Sequence, residues 1–258
     1  VLIVGNPTIN EKSDLFADRR GLLDESVSTP RNITLLPLRY SLEEVNMIGN
    51  LIRVDRLFTA RDATETNFKQ HAELSKIIHL STHSVLFEKL PVIFFSNIND
   101  IENDGLLEAS EIIQLKLNSD LVVLSSCNSG LGRVDESEGI IGMTKAFFDA
   151  GSKSVVVTLW EVNDMYTSKL MASFYEKLGE GYDKSEALRM AKIEFIEKYS
   201  PNPYFWAAFI LWGDTSEIQL ETASVFPPLV LLFMAGFFVI GIIYLAAIRK
   251  RFPANIRE

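Results

Sequence analysis

Short apolar runs alternate with helical periodicities along residues 1–225. VLIV (1–4), ITLLPL (33–38), RLFTA (56–60), KIIHLST (76–82), LVVLSS (121–126), SVVVTLW (154–160) and WAAFIL (206–211) have the length and composition of strands. Several are apolar without alternation, as strands covered on both faces are. Between them SLEEVNMI (41–48), ATETNFKQHAEL (63–74), EGIIGMTKAFFDAG (138–151), MYTSKLMASFYEKLG (165–179) and KSEALRMAKIEFIEKY (184–199) predict helices. Gly151 and Gly179 stand where helix C-caps are expected. The alternation predicts an α/β protein with a mostly parallel sheet and helices on both faces.

The pattern changes at residues 229–248, which read LVLLFMAGFFVIGIIYLAAI without a charge. Twenty helical residues rise about 30 Å, the thickness of a bilayer core. Pro227 and Pro228 suit the start of that helix, and Arg249, Lys250 and Arg251 close it. The expected organisation is a folded body (1–214), a linker (215–226), a transmembrane helix (227–248) and a basic tail (249–258). The tail carries a net +3, so a chain of net charge −9 has −12 before it. The positive-inside rule puts the tail in the cytoplasm and the body on the opposite side; a tail-anchored helix would leave the body cytosolic. The chain starts at Val1 rather than Met, so further sequence is expected upstream.

Composition narrows the chemistry. With 47% hydrophobic and 23% charged residues the 258-residue chain is neither disordered nor collagen-like. The acidic balance argues against nucleic acid as a partner. One cysteine excludes a disulfide framework and a cysteine zinc cluster. No G-x-G-x-x-G follows the first strand, and neither G-x-x-x-x-G-K-[ST] nor G-x-S-x-G occurs. Dinucleotide, P-loop and serine-hydrolase readings therefore lose their support, and no cofactor is expected.

Active sites of such sheets lie beyond the carboxyl ends of the strands. There KIIHLST runs into His83-Ser84, and LVVLSS runs into Cys127. A thiol and an imidazole at two strand ends are what cysteine nucleophilic catalysis needs, the imidazole accepting the proton or holding the thiolate. The bland alternative is a buried small hydrophobe and a hydrogen-bonded histidine. His79 and His83, four apart, would suit zinc on a helix, but H-E-x-x-H is absent, the flanks read as strand, and no third ligand is evident. No metal is therefore expected. His79 is expected buried and hydrogen-bonded in the sheet, and His71 solvated. Asp104 reads as a turn residue before Gly105, and Glu138 as a cap for the helix that follows it.

IIHLSTHS and LVVLSSCNSGLG together resemble the histidine and cysteine motifs of the CHAT domain, a caspase-like cysteine peptidase family in the clan of caspases, separases and gingipains. Four further blocks fit in order: DGLLEASEI (104–112), EGIIG (138–142), AFFDAGSKSVVVTLWEVND (146–164) and NPYFWAAFILWGD (202–214). The resemblance spans residues 1–214 and implies a caspase-like three-layer sandwich with His83 and Cys127 as catalytic dyad. It implies an oxyanion hole from the backbone N–H groups of Ser84 and Cys127. The family usually has glycine where this chain has Ser84, so strain or a shifted loop is expected there.

The expected function is a membrane-anchored cysteine endopeptidase acting on protein or peptide substrates through a thioester. Asp164 matches the position where separases keep an acid, implying an S1 pocket for Arg or Lys; capping the helix from 165 would explain it as well. The alternative is a catalytically weak or inactive membrane-tethered interaction module of the same fold. The resemblance also implies a helical-repeat region upstream, activation by loop rearrangement, and a bacterial stress, defence or cell-death setting.

Overall fold

The computed structural model describes residues 1–9, 38–87, 90–125 and 136–221, without the side chains of 85–91 and 136–140. Residues Val1–Thr222 gather into one compact unit. Its centre is a six-stranded sheet in the order β2-β1-β3-β7-β8-β9. β1 (Leu2–Pro7), β2 (Arg56–Ala60), β3 (Ile77–Ser81), β7 (Leu121–Leu124) and β8 (Ser154–Thr158) run parallel. β9 (Phe209–Gly213) closes one edge antiparallel to β8.

Side-chain alternation divides the core into two layers. Leu2, Val4, Ile78, Leu80, Val122, Leu124, Val155 and Val157 face α2 (Glu65–Ala72) and α4 (Glu136–Asp149). Ile3, Ile77, Leu121, Val123 and Val156 face α1 (Ser41–Leu51), α5 (Asp164–Gly179) and α6 (Lys184–Lys198). Both layers are fully buried, which explains why the strands read as continuous apolar runs. Helices on both sides of a mostly parallel sheet make the three-layer arrangement expected from the sequence.

The departures are local. A second sheet, β4 (Ser84–Phe87), β5 (Leu90–Phe94) and β6 (Leu106–Glu108), is inserted between β3 and β7 and pairs antiparallel throughout. It is followed by α3 (Ala109–Ile112), and α7 (Pro203–Trp206) precedes β9. The strand expected over 33–38 falls outside the described residues apart from Leu38, which is irregular. Gly151 ends α4 with φ +111°, as a C-cap glycine should, but Gly179 is still helical. The left-handed position after α5 belongs instead to Gly181, φ +89°. The amide of Glu180 continues to bond the Glu176 carbonyl, so the helix runs past Gly179 before the chain turns.

At the amino ends of the strands, the Arg53 backbone N–H donates to the Glu221 carbonyl at 2.7 Å. The Arg53 guanidinium meets the Glu221 carboxylate at 2.5 Å. Among the described residues no helix is long and apolar enough to cross a membrane. Residues 227–248, where the anchor is expected, lie outside them, as does the tail.

Candidate functional site

β3 and β7 are neighbours, with Leu80 paired to Leu124. Their carboxyl ends therefore share one rim. His83 follows β3 three residues beyond Leu80 and is 4% exposed. Cys127 stands three residues beyond Leu124 and, with residues 126–135, lies outside the described residues. Ser125, the last described residue of that run, is buried. It holds the Leu80 carbonyl with its N–H at 3.1 Å and its hydroxyl at 3.3 Å. The approach to the cysteine is thus tied to the approach to the histidine.

The small sheet fixes the other side of His83. The Phe94 N–H donates to the His83 carbonyl at 2.8 Å, and the Thr82 hydroxyl donates to the Phe94 carbonyl. His83 faces Phe94 as a hydrogen-bonded antiparallel pair, so Ser84 and Ile93 form the wide pair and the Ser84 N–H is directed away from β5. Ser84 opens β4 in extended conformation and is not among the non-glycine residues with positive φ. The strain expected from serine in place of glycine is therefore absent: an L-residue occupies this position at ordinary backbone angles.

Asp164 lies on the same rim, beyond β8. It does not cap α5; Asn163 does, its side chain accepting from the Met165 N–H at 3.1 Å. Asp164 occupies the first helical position. One carboxylate oxygen accepts from Met165 N–H at 3.0 Å, the other from Tyr40 N–H at 3.2 Å. It thereby joins the entrances of α1 and α5 while remaining half-buried. Each oxygen keeps further accepting capacity.

His79 is fully buried, as expected. Its Nε2 lies 3.0 Å from Glu44 and its Nδ1 3.2 Å from the Tyr175 hydroxyl. Ser81 donates to the second Glu44 oxygen at 3.1 Å. Sequence reasoning missed Glu44. The available signal was an acid on a helical stripe: Ser41, Glu44, Val45 and Ile48 share the buried face of α1. His71 is half-buried rather than solvated, donating from Nδ1 to the Asn67 carbonyl at 2.8 Å and packing on Phe58. Among the described residues no group of three His, Cys, Asp or Glu side chains could hold a metal ion.

The DGLLEASEI block is structural. Asp104 accepts from the Leu106 N–H at 2.9 Å, and Gly105 turns with φ +83°, where an added Cβ would lie 3.0 Å from the Phe95 carbonyl oxygen. Leu106 and Leu107 enter β6, and Glu108 with Glu111 forms the capping box of α3. The Gly105 N–H is held at 3.0 Å by Glu65, whose buried carboxylate also meets Lys69 at 2.6 Å. Lys69 reaches Glu111 at 2.9 Å as well. Burial pushes the Glu65 carboxyl up to about 7, outweighing the Lys69 ammonium. Between its ordinary 4.5 and about 7 the folded protein binds this proton more tightly than the unfolded chain. Stability from this group is thus greatest below that window and falls as pH rises through it. Urea midpoints at about pH 5 and about pH 7.5 should therefore differ less in Glu65→Gln than in the wild type; equal pH slopes would contradict the assignment.

A mostly parallel sheet between two helical layers is an α/β arrangement of the kind a caspase-like protein has. A family model described as the CHAT domain matches residues 1–214, and the chain belongs to that family. Two relatives, both described as tetratricopeptide repeat protein 28, come from Mus musculus and Homo sapiens. They are 36% and 35% identical over 120 residues. Those residues are 46% of this chain and 5% of either relative, so the chain spans a small fraction of their length.

Proposed function

We propose that this chain is a membrane-anchored cysteine endopeptidase working through His83 and Cys127. The observation that carries the reading is the register of β3 and β7: the two residues follow paired neighbours, Leu80 and Leu124, by the same number of positions. His83 takes the thiol proton or holds the ion pair, and the Cys127 sulfur attacks the scissile carbonyl. The Ser84 and Cys127 backbone N–H groups stabilise the oxyanion. His83 returns the proton to the leaving amine, and water hydrolyses the thioester.

Asp164 serves as the acidic floor for a Lys or Arg side chain before the cut; its place on the same rim and its spare lone pairs support this. Residues 227–248 anchor the chain, the tail 249–258 facing the cytoplasm and the peptidase domain the other side. An upstream helical-repeat region recruits the protein substrate, in keeping with the tetratricopeptide repeats named in both relatives.

Digestion of a peptide library by the full chain tests the reading. Cleavage after Lys or Arg that disappears in Cys127→Ala is expected. Cleavage that survives Cys127→Ala overturns the dyad, and preference for acidic or small residues at that subsite overturns the role of Asp164. The near-complete burial of His83 favours one second reading, a tethered interaction module whose site is silent. Absence of cleavage, together with no labelling of Cys127 by a cysteine-reactive peptide probe, would select it.

A further inference from the structure

The exit of β3 is clamped by a buried polar network that the proposed chemistry does not use. His79 and Ser81 point to the same face of the strand, toward α1 and α5, and both are fully enclosed. Glu44, 2% exposed, receives both: His79 at one carboxylate oxygen, 3.0 Å, and the Ser81 hydroxyl at the other, 3.1 Å. Tyr175, from α5, completes the set at His79 Nδ1, 3.2 Å, with the rings edge to face. The Ser81 carbonyl is taken by Ser41 at 2.6 Å, and Ser41 in turn accepts the Asn6 N–H at 2.8 Å.

Both imidazole nitrogens are within hydrogen-bond distance of a partner, Nε2 of the Glu44 carboxyl and Nδ1 of the Tyr175 hydroxyl. Burial and the nearby Glu44 hold the Tyr175 phenol well above its usual range, so it keeps its proton. Such a buried carboxylate is costly to keep and weak evidence for stability alone. What it achieves here is directional: residues 79 to 81 cannot rotate or slide without breaking bonds to two helices.

We propose that Glu44, through His79 and Ser81, is a positioning residue for His83, locking the end of β3 so that the His83 imidazole is presented to the neighbouring strand end. This rests on the dyad reading and concerns how the dyad is aligned. Catalytic groups held by locked rotamers and supporting hydrogen bonds keep the sub-ångström placement that proton transfer needs.

The sole cysteine makes the test direct, because iodoacetamide alkylation of the unfolding-free native chain reports Cys127 alone. The rate is measured against pH in wild type, His83→Ala and Glu44→Gln, with circular dichroism to establish that each is folded. In Glu44→Gln one acceptor becomes an amide donor, so residue 44 can no longer accept from both His79 and Ser81, and one of the two must reverse its hydrogen bond. The alkylation midpoint should rise by about one unit, slowing the reaction about tenfold below the wild-type midpoint, in the direction His83→Ala takes. A folded Glu44→Gln with the wild-type profile, while His83→Ala shifts it, overturns the positioning role and leaves the dyad standing. No shift in His83→Ala overturns the dyad itself. If Glu44→Gln fails to fold, Tyr175→Phe decides: it removes only the hydroxyl at Nδ1, a smaller upward shift supports the network, and an unchanged profile overturns it.

Discussion

His83→Ala will lower Cys127-dependent peptide hydrolysis by about 10²–10⁴-fold, the range expected for loss of a positioned acid–base group. Cys127→Ala will lower it at least as far. The double variant will lie no lower than Cys127→Ala alone, because a nucleophile and its base act as a unit and their losses do not add. An imidazole beside the sulfur keeps thiolate available near neutral pH, where an isolated cysteine is mostly thiol. Initial rates on one good peptide from the library, with His83→Ala and Cys127→Ala prepared in parallel, measure it. Activity of His83→Ala within about threefold of wild type would exclude the histidine from the chemistry.

Phe147→Ala will destabilise the domain by about 3–5 kcal/mol. Phe147 is fully buried in the layer between α4 and the sheet, on a stripe with Met143, Ala146 and Ala150. Truncating it removes transfer free energy and opens a cavity that a parallel sheet and a rigid helix cannot close. Ile141 on the same helix is 56% exposed, and Ile141→Ala should change stability by no more than about 0.5 kcal/mol. Thermal unfolding should separate the two by roughly 10 °C for a domain of this size. Equal effects would mean that α4 does not lay this face on the sheet.

The central strands were readable because covered strands must be apolar on both faces, and KIIHLST, LVVLSS and SVVVTLW announce themselves that way, whereas RLFTA forms an exposed edge strand. The orientation of β9 was not, since WAAFIL carries no mark of whether its partner runs with it or against it. The β4–β6 insertion escaped for a different reason. Its segments are short, and Lys89 and Pro91 interrupt the apolar run from 84 to 95 before the pairing that makes them strands is apparent. At the site, His83 was legible from its place after a strand, and His79 from its flanks. Glu44 was hidden because its significance lies in tertiary pairing, not in any local spacing. Asp164 read as a cap for the helix from 165; only backbone geometry shows that Asn163 precedes the first turn and Asp164 belongs to it.

The ion pair and backbone bond between Arg53 and Glu221 set a point of departure for the chain. It lies at the foot of β2, whereas His83 stands at the head of β3, roughly 16 Å away along strands of five residues. Glu221 is thus held at the amino ends of the strands, opposite the rim that carries His83. A pull applied at Glu221 would load the start of β2 and the end of α1 before it reached the rim around His83.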